Sequence, residues 1–357
     1  MITQRLSRLR HVMVESDIAA LLIASPVNRR YLSGFTGSSG MLLITNSNQY
    51  LLTDFRYMTQ APLQAPNFTV VEHGANPIEN VKELLEQERV EELSFEQEHV
   101  TYSVFHSWSK QLSSIQWKPQ SDIVEKLRRI KDDGEIAIME QAAQLADRTF
   151  DHILQLIKPG IRESDLALEM EVYMRSHGAT SSSFDTIVAS GARSALPHGV
   201  ASEKKLEHGD FVTFDFGAYF QGYCSDLTRT VVVGEATEKH IEIYNIVLEA
   251  QLHTLEHIKP GMTGKQADAL ARDIISSYGY GEQFGHSTGH SLGMEIHEAP
   301  RLSMYSDTIL TPGMTVTVEP GIYLPGFGGV RIEDDIVITE SGIKILTSSP
   351  KQLITLG

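Results

Sequence analysis

Among 357 residues there is one cysteine, Cys224, so no disulfide can form within the chain; this agrees with a reducing compartment and excludes the disulfide-stapled secreted scaffolds. Long apolar runs are missing as well. Nothing approaches the roughly eighteen consecutive apolar residues of a membrane span, and the first part of the chain offers only the short IAALLIA after a polar, mixed-charge start. The expectation is a cytoplasmic protein with no export signal and no membrane partner. Basic charge is scarce: 30 Lys and Arg stand against 46 Asp and Glu, a formal charge of −16. That balance argues against nucleic acid or an anionic membrane as partner. Bound divalent cations would offset part of it.

What is present is enough apolar material for a sizeable core, 41% of the residues, in a chain long enough that two domains are the default. Up to about residue 120, β-type runs (AALLIAS, MLLITN, YLLTDF, FTVVEH, ELSFEQ) alternate with amphipathic stretches, of which NPIENVKELLEQERVE is the clearest helix. This is an α/β pattern. Periodicity fades in SSIQWKPQSD around Pro119, which puts the boundary there: residues 1–122 form an N-terminal α/β domain and residues 123–357 a second domain. A long helix, capped by Asp133, is expected to run through GEIAIMEQAAQLADRTFDHILQLI and to stop at Pro159 and Gly160.

The second domain repeats itself. IKPGIRESDLALEMEVYMRSHG (157–178) is matched by IKPGMTGKQADALARDIISSYG (258–279), and LEHGDFVTFDFGAY (206–219) by LTPGMTVTVEPGIY (310–323). The order helix, helix, strand, strand occurring twice implies two related halves about a pseudo-two-fold, with a curved antiparallel sheet lined by helices. The second echo puts Glu319 where Asp215 stands, and VRIEDDIVITESG puts Glu333 close to the position of Asp226. In the first half, GDFVTFDFGAYFQGYCSDLTRT reads as a β-hairpin. With its turn centred on Phe220 and Gln221, Asp215 and Asp226 would face each other directly, with Cβ atoms about 4.5 to 5.5 Å apart. The alternative is two unrelated, solvated aspartates.

If the halves face each other, Asp215, Asp226, Glu319 and Glu333 converge. Four carboxylates in one partly buried pocket need compensation, and two divalent cations supply the matching charge. The Gly-rich stretch GHSTGHSLGMEIHEAP adds imidazoles at His286, His290 and His297, the residue type that completes mixed oxygen and nitrogen shells. Its spacing is not that of a helical HExxH zinc site.

These residues resemble the metallopeptidases of the creatinase, or pita-bread, fold, which include methionine aminopeptidase, aminopeptidase P and prolidase. The resemblance covers essentially the whole chain, with an N-terminal domain of the creatinase type and an α+β pita-bread catalytic domain. It implies metal ligands at Asp215, Asp226, His290, Glu319 and Glu333, with Asp215 and Glu333 bridging, Asp226 on one ion and His290 on the other. The implied cofactor is two divalent ions per chain, Mn2+ by expectation, with Co2+ or Zn2+ as alternatives. His198 and His297 match two imidazoles beside the substrate, and His286 a further active-site histidine. Arg301 matches an arginine that contacts the C-terminal carboxylate of a dipeptide in some prolidases. Arg331 is a second candidate for the substrate, or else orients the acidic ligands.

The implied activity is hydrolysis of the Xaa-Pro bond of dipeptides by attack of a metal-bridging hydroxide, with Glu319 as general acid/base and His198 and His297 donating to the oxyanion or the substrate backbone. The partner is then a small peptide with proline at its second position, and a homodimer is implied. Two other readings stand beside it: an aminopeptidase P, which removes the residue before proline from longer peptides, and a non-catalytic binding module of the same fold. The complete ligand set speaks against the latter.

Overall fold

The apolar runs of the first hundred residues pair as expected and enclose a core of Leu22, Leu43, Leu52, Val81 and Leu85. A computed structural model describes residues 1–357, which divide into two compact units, Met1–Arg128 and Arg129–Gly357. In the first, six strands form one mixed sheet. Ala20–Ile23 lies at its middle, antiparallel to Met41–Thr45 and parallel to Glu92–Glu96. The helix Pro77–Glu88 buries Ile78, Val81, Leu84 and Leu85 against this sheet, one stripe of a 3.6-residue period.

The division falls after Arg128, not after residue 122. The stretch around Pro119 is the edge strand Gln116–Gln120, paired in parallel with Glu92–Glu96. An edge position leaves the missing proline N–H without consequence, so Pro119 marks no linker. The following helix Ile123–Arg128 stays with the first unit, where the Tyr31 hydroxyl donates to the Leu127 carbonyl at 3.2 Å.

The second unit opens with the helix Asp133–Leu154. Its N-cap is Asp132, one residue before the expected Asp133, because Asp132 and Glu135 close a reciprocal capping box. The order helix, helix, strand, strand then occurs twice. Helices Asp133–Leu154 and Glu163–Ser176 precede strands Phe211–Phe216 and Leu227–Val233; helices Glu238–His257 and Gly264–Ser277 precede strands Thr315–Val318 and Asp334–Thr339. The strands are shared between two main sheets. One holds Ile187–Ser190, Phe211–Phe216, Leu227–Val233 and the parallel Ile354–Leu356; the other holds Glu298–Leu302, Gly289–Ser291, Thr315–Val318, Asp334–Thr339 and Gly342–Ile345. Phe150, Met170, Phe214 and Val231 pack one helical layer onto the first sheet. Leu255, Ala267, Val316 and Ile336 do the same for the second.

The register of the first hairpin corrects the sequence reading. Asp215 lies opposite Thr228, not Asp226. The tip pairs Phe220 with Tyr223, so the turn centres on Gln221 and Gly222, at φ +50° and +96°. A tight hairpin turn needs positive φ at both central residues, which Gly222 adopts without strain and Phe220 would not. Moving the turn by one residue moves the facing pair by two. In the second half Val318 faces Asp334, a register that extends to Glu319 opposite Glu333. Extending both ladders, Asp226 in one half answers to Arg331 in the other, and Thr228 answers to Glu333.

Candidate metal centre

The two sheets meet along Asp226–Thr228 and Arg331–Asp335, where the Glu333 N–H donates to the Thr228 carbonyl at 3.1 Å. Alternation along these strands turns every second side chain to one face. Thr228 donates its hydroxyl to Glu333 Oε2 at 2.6 Å, and Thr317 donates to Glu319 Oε1 at 3.1 Å. Behind Asp226, the Asp335 carboxylate accepts its backbone N–H at 2.9 Å. Arg331 is buried: Nη2 donates to Asp215, Nη1 to the Tyr323 hydroxyl at 2.7 Å and Nε to Thr228 at 3.2 Å.

Ligand atoms of Asp226, His290 and Glu333 all lie within 4.8 Å of one another. His290 Nε2 stands 3.6 Å from Asp226 Oδ2 and 3.5 Å from Glu319 Oε1. Its Nδ1 lies 3.1 Å from the Ser291 carbonyl, which assigns the proton to Nδ1 and leaves the Nε2 lone pair facing carboxylate oxygens. Burial, then His297, lowers the His290 pKa to about 4, so the ring is neutral at pH 7. A lone pair aimed at carboxylates repels. Asp226 Oδ1 and Glu333 Oε1 are buried with no hydrogen-bond partner. Neutral imidazole and carboxyl oxygens left without hydrogen-bond partners form a donor set that a divalent cation completes.

Charge crowding tells the same story. Burial, then the neighbouring carboxylates, holds Asp226 and Glu333 well above the usual carboxylate range. Burial, with Asp215 adding to it, pushes Glu319 up to about 8. Without cations, these groups keep protons that an unfolded chain would release above about pH 4 to 4.5. A carboxylate raised in this way contributes stability at low pH that is lost as pH rises through its folded value. His290 and His286, both lowered to about 4, act oppositely, but only up to about their free value of 6.5. Metal-free protein is therefore expected to lose stability between about pH 6.5 and 8, by roughly 1.4 kcal/mol per pH unit for each proton released. Melting curves with chelator against Mn2+ should show a Tm gap that widens across that window; a constant gap would mean the carboxylates are not crowded as described.

The site lines a cavity of about 460 Å³, whose wall includes Phe184, Pro197, Val200 and Ile296 beside all five ligand candidates. His198, His286, His297, Arg301 and Arg331 also reach it. His198 and His297 are exposed. The His297 ring packs edge-on to that of His290, centroids 4.5 Å apart. Its loop is pinned by a buried ion pair, Lys131 to Glu298 at 3.1 Å, and by the N–H of buried Cys224 on the Gly293 carbonyl at 2.7 Å. His286 points its Nδ1 at the Ser287 carbonyl and its Nε2 at the Tyr323 hydroxyl, 2.8 Å each. Arg301 is exposed, and its guanidinium makes no hydrogen bond or ion pair within the chain. Sequence reading missed Thr228, Thr317, Tyr323 and Asp335. Thr228, Thr317 and Asp335 each stand two residues from a ligand candidate that sits one residue beyond the end of their strand, and that spacing was the available signal.

The chain matches metallopeptidase family M24 over residues 137–340 and the creatinase/prolidase N-terminal domain over residues 5–130. A solved Xaa-Pro dipeptidase from Bacillus anthracis is 53% identical and superposes with a TM-score of 0.98, with 100% of each chain covered. The Xaa-Pro dipeptidase of Pyrococcus furiosus is 42% identical over 351 residues, 98% of this chain and 99% of that one. An X-Pro aminopeptidase structure from Thermotoga maritima is 41% identical with a TM-score of 0.92, covering 97% of this chain and 100% of that one.

Proposed function

The chain belongs to metallopeptidase family M24, and from that premise we propose that it hydrolyses the Xaa-Pro bond of dipeptides, releasing proline. The observation that carries the reading is the convergence of Asp226, His290 and Glu333 with two carboxylate oxygens left bare. Asp215 and Glu319 complete a set of five donors for two divalent ions. Asp215 and Glu333 would be shared between the ions, with Asp226 and His290 each serving one of them. Mn2+ suits this mixture of carboxylate and imidazole. A cytoplasmic homodimer is part of the same proposal, and no helix is long and apolar enough to cross a membrane.

Divalent cations held there supply Lewis acidity toward the scissile carbonyl and the attacking water. The chain's own groups do the rest. Glu319, its charge restored once cations offset the crowding, takes the water's proton and hands it to the proline nitrogen as that nitrogen leaves. His198 and His297 donate to the substrate's carbonyl oxygens where negative charge develops. The uncommitted Arg301 guanidinium receives the free carboxylate of proline. Arg331 has its donors turned to Asp215, Tyr323 and Thr228, so it orients a ligand and leaves substrate recognition to Arg301. His286 supports Tyr323 in that chain.

One observation favours the aminopeptidase P reading. The pocket shares Phe184, Asp185 and Val200 with an open groove of about 530 Å³ that runs past Ser164 and Leu168 and has room for residues after proline. A release assay with Xaa-Pro and Xaa-Pro-Yaa at equal concentration and defined Mn2+ decides between the two. Preference for the dipeptide, abolished by chelator, is the expected result; preference for the tripeptide would make the chain an aminopeptidase P.

A further inference from the structure

One fully buried carboxylate takes no part in the chemistry above. Glu163, the first residue of the helix Glu163–Ser176, has a side chain with no exposed surface. Its Oε1 accepts the N–H and the hydroxyl of Ser190, 2.7 Å each. Its Oε2 accepts the N–H of Ser202 at 3.0 Å, the Ser202 hydroxyl at 2.6 Å and Nε of Arg193 at 3.0 Å. The main chain joins in: the Glu163 N–H donates to the Lys204 carbonyl, and the Ser164 N–H to that of Ser202. One side chain thus clasps both ends of segment 190–202. At the exposed tip of that segment stands His198.

The rest of the loop hangs from this clasp. Arg193, held by Glu163, donates its Nη2 to the Val200 carbonyl at 2.6 Å, and the Val200 N–H returns to the His198 carbonyl at 2.9 Å. His198 thereby sits three hydrogen bonds from Glu163, by way of Arg193 and Val200. The duplicated half supplies an internal comparison. Aligning IKPGIRES with IKPGMTGK puts Gly264 at the place of Glu163. A Cβ on Gly264 would lie 2.3 Å from the Arg301 carbonyl oxygen and 2.5 Å from Ser306 Oγ. In both halves the same helix position bears on the segment that carries a substrate-side residue, through a carboxylate clasp in one and through direct backbone approach in the other.

We propose that Glu163 is a positioning residue for His198: it fixes the loop so that the imidazole meets the substrate, without touching substrate or metal itself. This rests on the reading that His198 contacts substrate. Misplacing a group by about 1 Å costs on the order of a hundredfold in rate, so Glu163→Gln, which keeps the shape but turns an amide donor toward serine donors, should lower kcat/KM for an Xaa-Pro dipeptide by about 10- to 100-fold. Metal content should be unchanged.

The deciding readout is a double-mutant cycle in the full-length, Mn2+-loaded enzyme. If Glu163 acts through His198, then Glu163→Gln combined with His198→Ala loses no more than His198→Ala alone. Should Glu163→Gln fail to fold, Ser202→Ala, which removes one hydroxyl donor, enters the same cycle and should show the same non-additivity on a smaller scale. Additive losses, lost metal, or a lower Tm with kcat/KM unchanged would each overturn the assignment and leave Glu163 a stabilising or ligand-supporting group. If His198→Ala alone is without effect, the role of His198 falls first and the clasp's role with it; a costly His198→Ala with additive losses overturns the clasp alone.

Discussion

Asp226→Asn is expected to lose at least one divalent ion and nearly all peptidase activity, while making the metal-free protein more stable. Removing even an outer partner of a metal ligand costs about 10- to 100-fold in affinity or activity, so replacing a ligand should cost at least about a hundredfold. Asp226 has one bare oxygen and another 3.6 Å from the His290 lone pair, and asparagine fills the same space without the charge. The gain in stability follows from the crowding that raises Asp226: burial first, then Glu333 and Asp215. With one of the crowded acids neutral by construction, the metal-free form no longer releases a costly proton as pH rises. Elemental analysis after dialysis against Mn2+, melting curves in chelator and the release assay read the three effects. A variant that keeps wild-type metal content and rate would sink the ligand assignment.

Arg301→Ala is expected to discriminate between substrates. If the guanidinium pairs with the free carboxylate of proline, truncating one partner of a desolvated charge pair costs roughly 2 to 5 kcal/mol, which is about 30- to 3,000-fold in kcat/KM for a dipeptide. An Xaa-Pro-amide has no carboxylate to lose, so the same substitution should leave its hydrolysis nearly unchanged. Wild-type preference for amides and tripeptides, with Arg301→Ala affecting all substrates equally, would make Arg301 structural and the chain an aminopeptidase P.

The ligand candidates were legible because duplication left two copies of one strand pattern in the sequence, so that FVTFDF and TVTVEP point to matching carboxylates without knowledge of the fold. The hairpin register was not legible from alternation alone. It depends on which residue tolerates positive φ, and Gly222 rather than Phe220 decides that. Pro119 misled in the same local way: its meaning changes with whether a partner lies on its N–H side, which only the sheet order reveals. Thr228, Thr317 and Tyr323 are neutral hydroxyl residues in apolar strands, where their composition signals nothing. The clasp of Glu163 joins residues 27 to 39 positions further along the chain, a contact made by loop closure that leaves no periodic trace.

The lone sulfur of Cys224 lies wedged between the first hairpin and the turn that leads to His297, and burial raises its thiol pKa to about 12. Of the two forms of a thiol, the thiolate is the one that reacts with alkylating agents or peroxide, so this sulfur is mute toward both while it stays buried. The route to that sulfur is a breathing motion of this one corner, which need not wait for global unfolding. The molecule therefore carries its own clock: the pace at which a reagent finds Cys224 counts how often the wall beside the substrate comes apart.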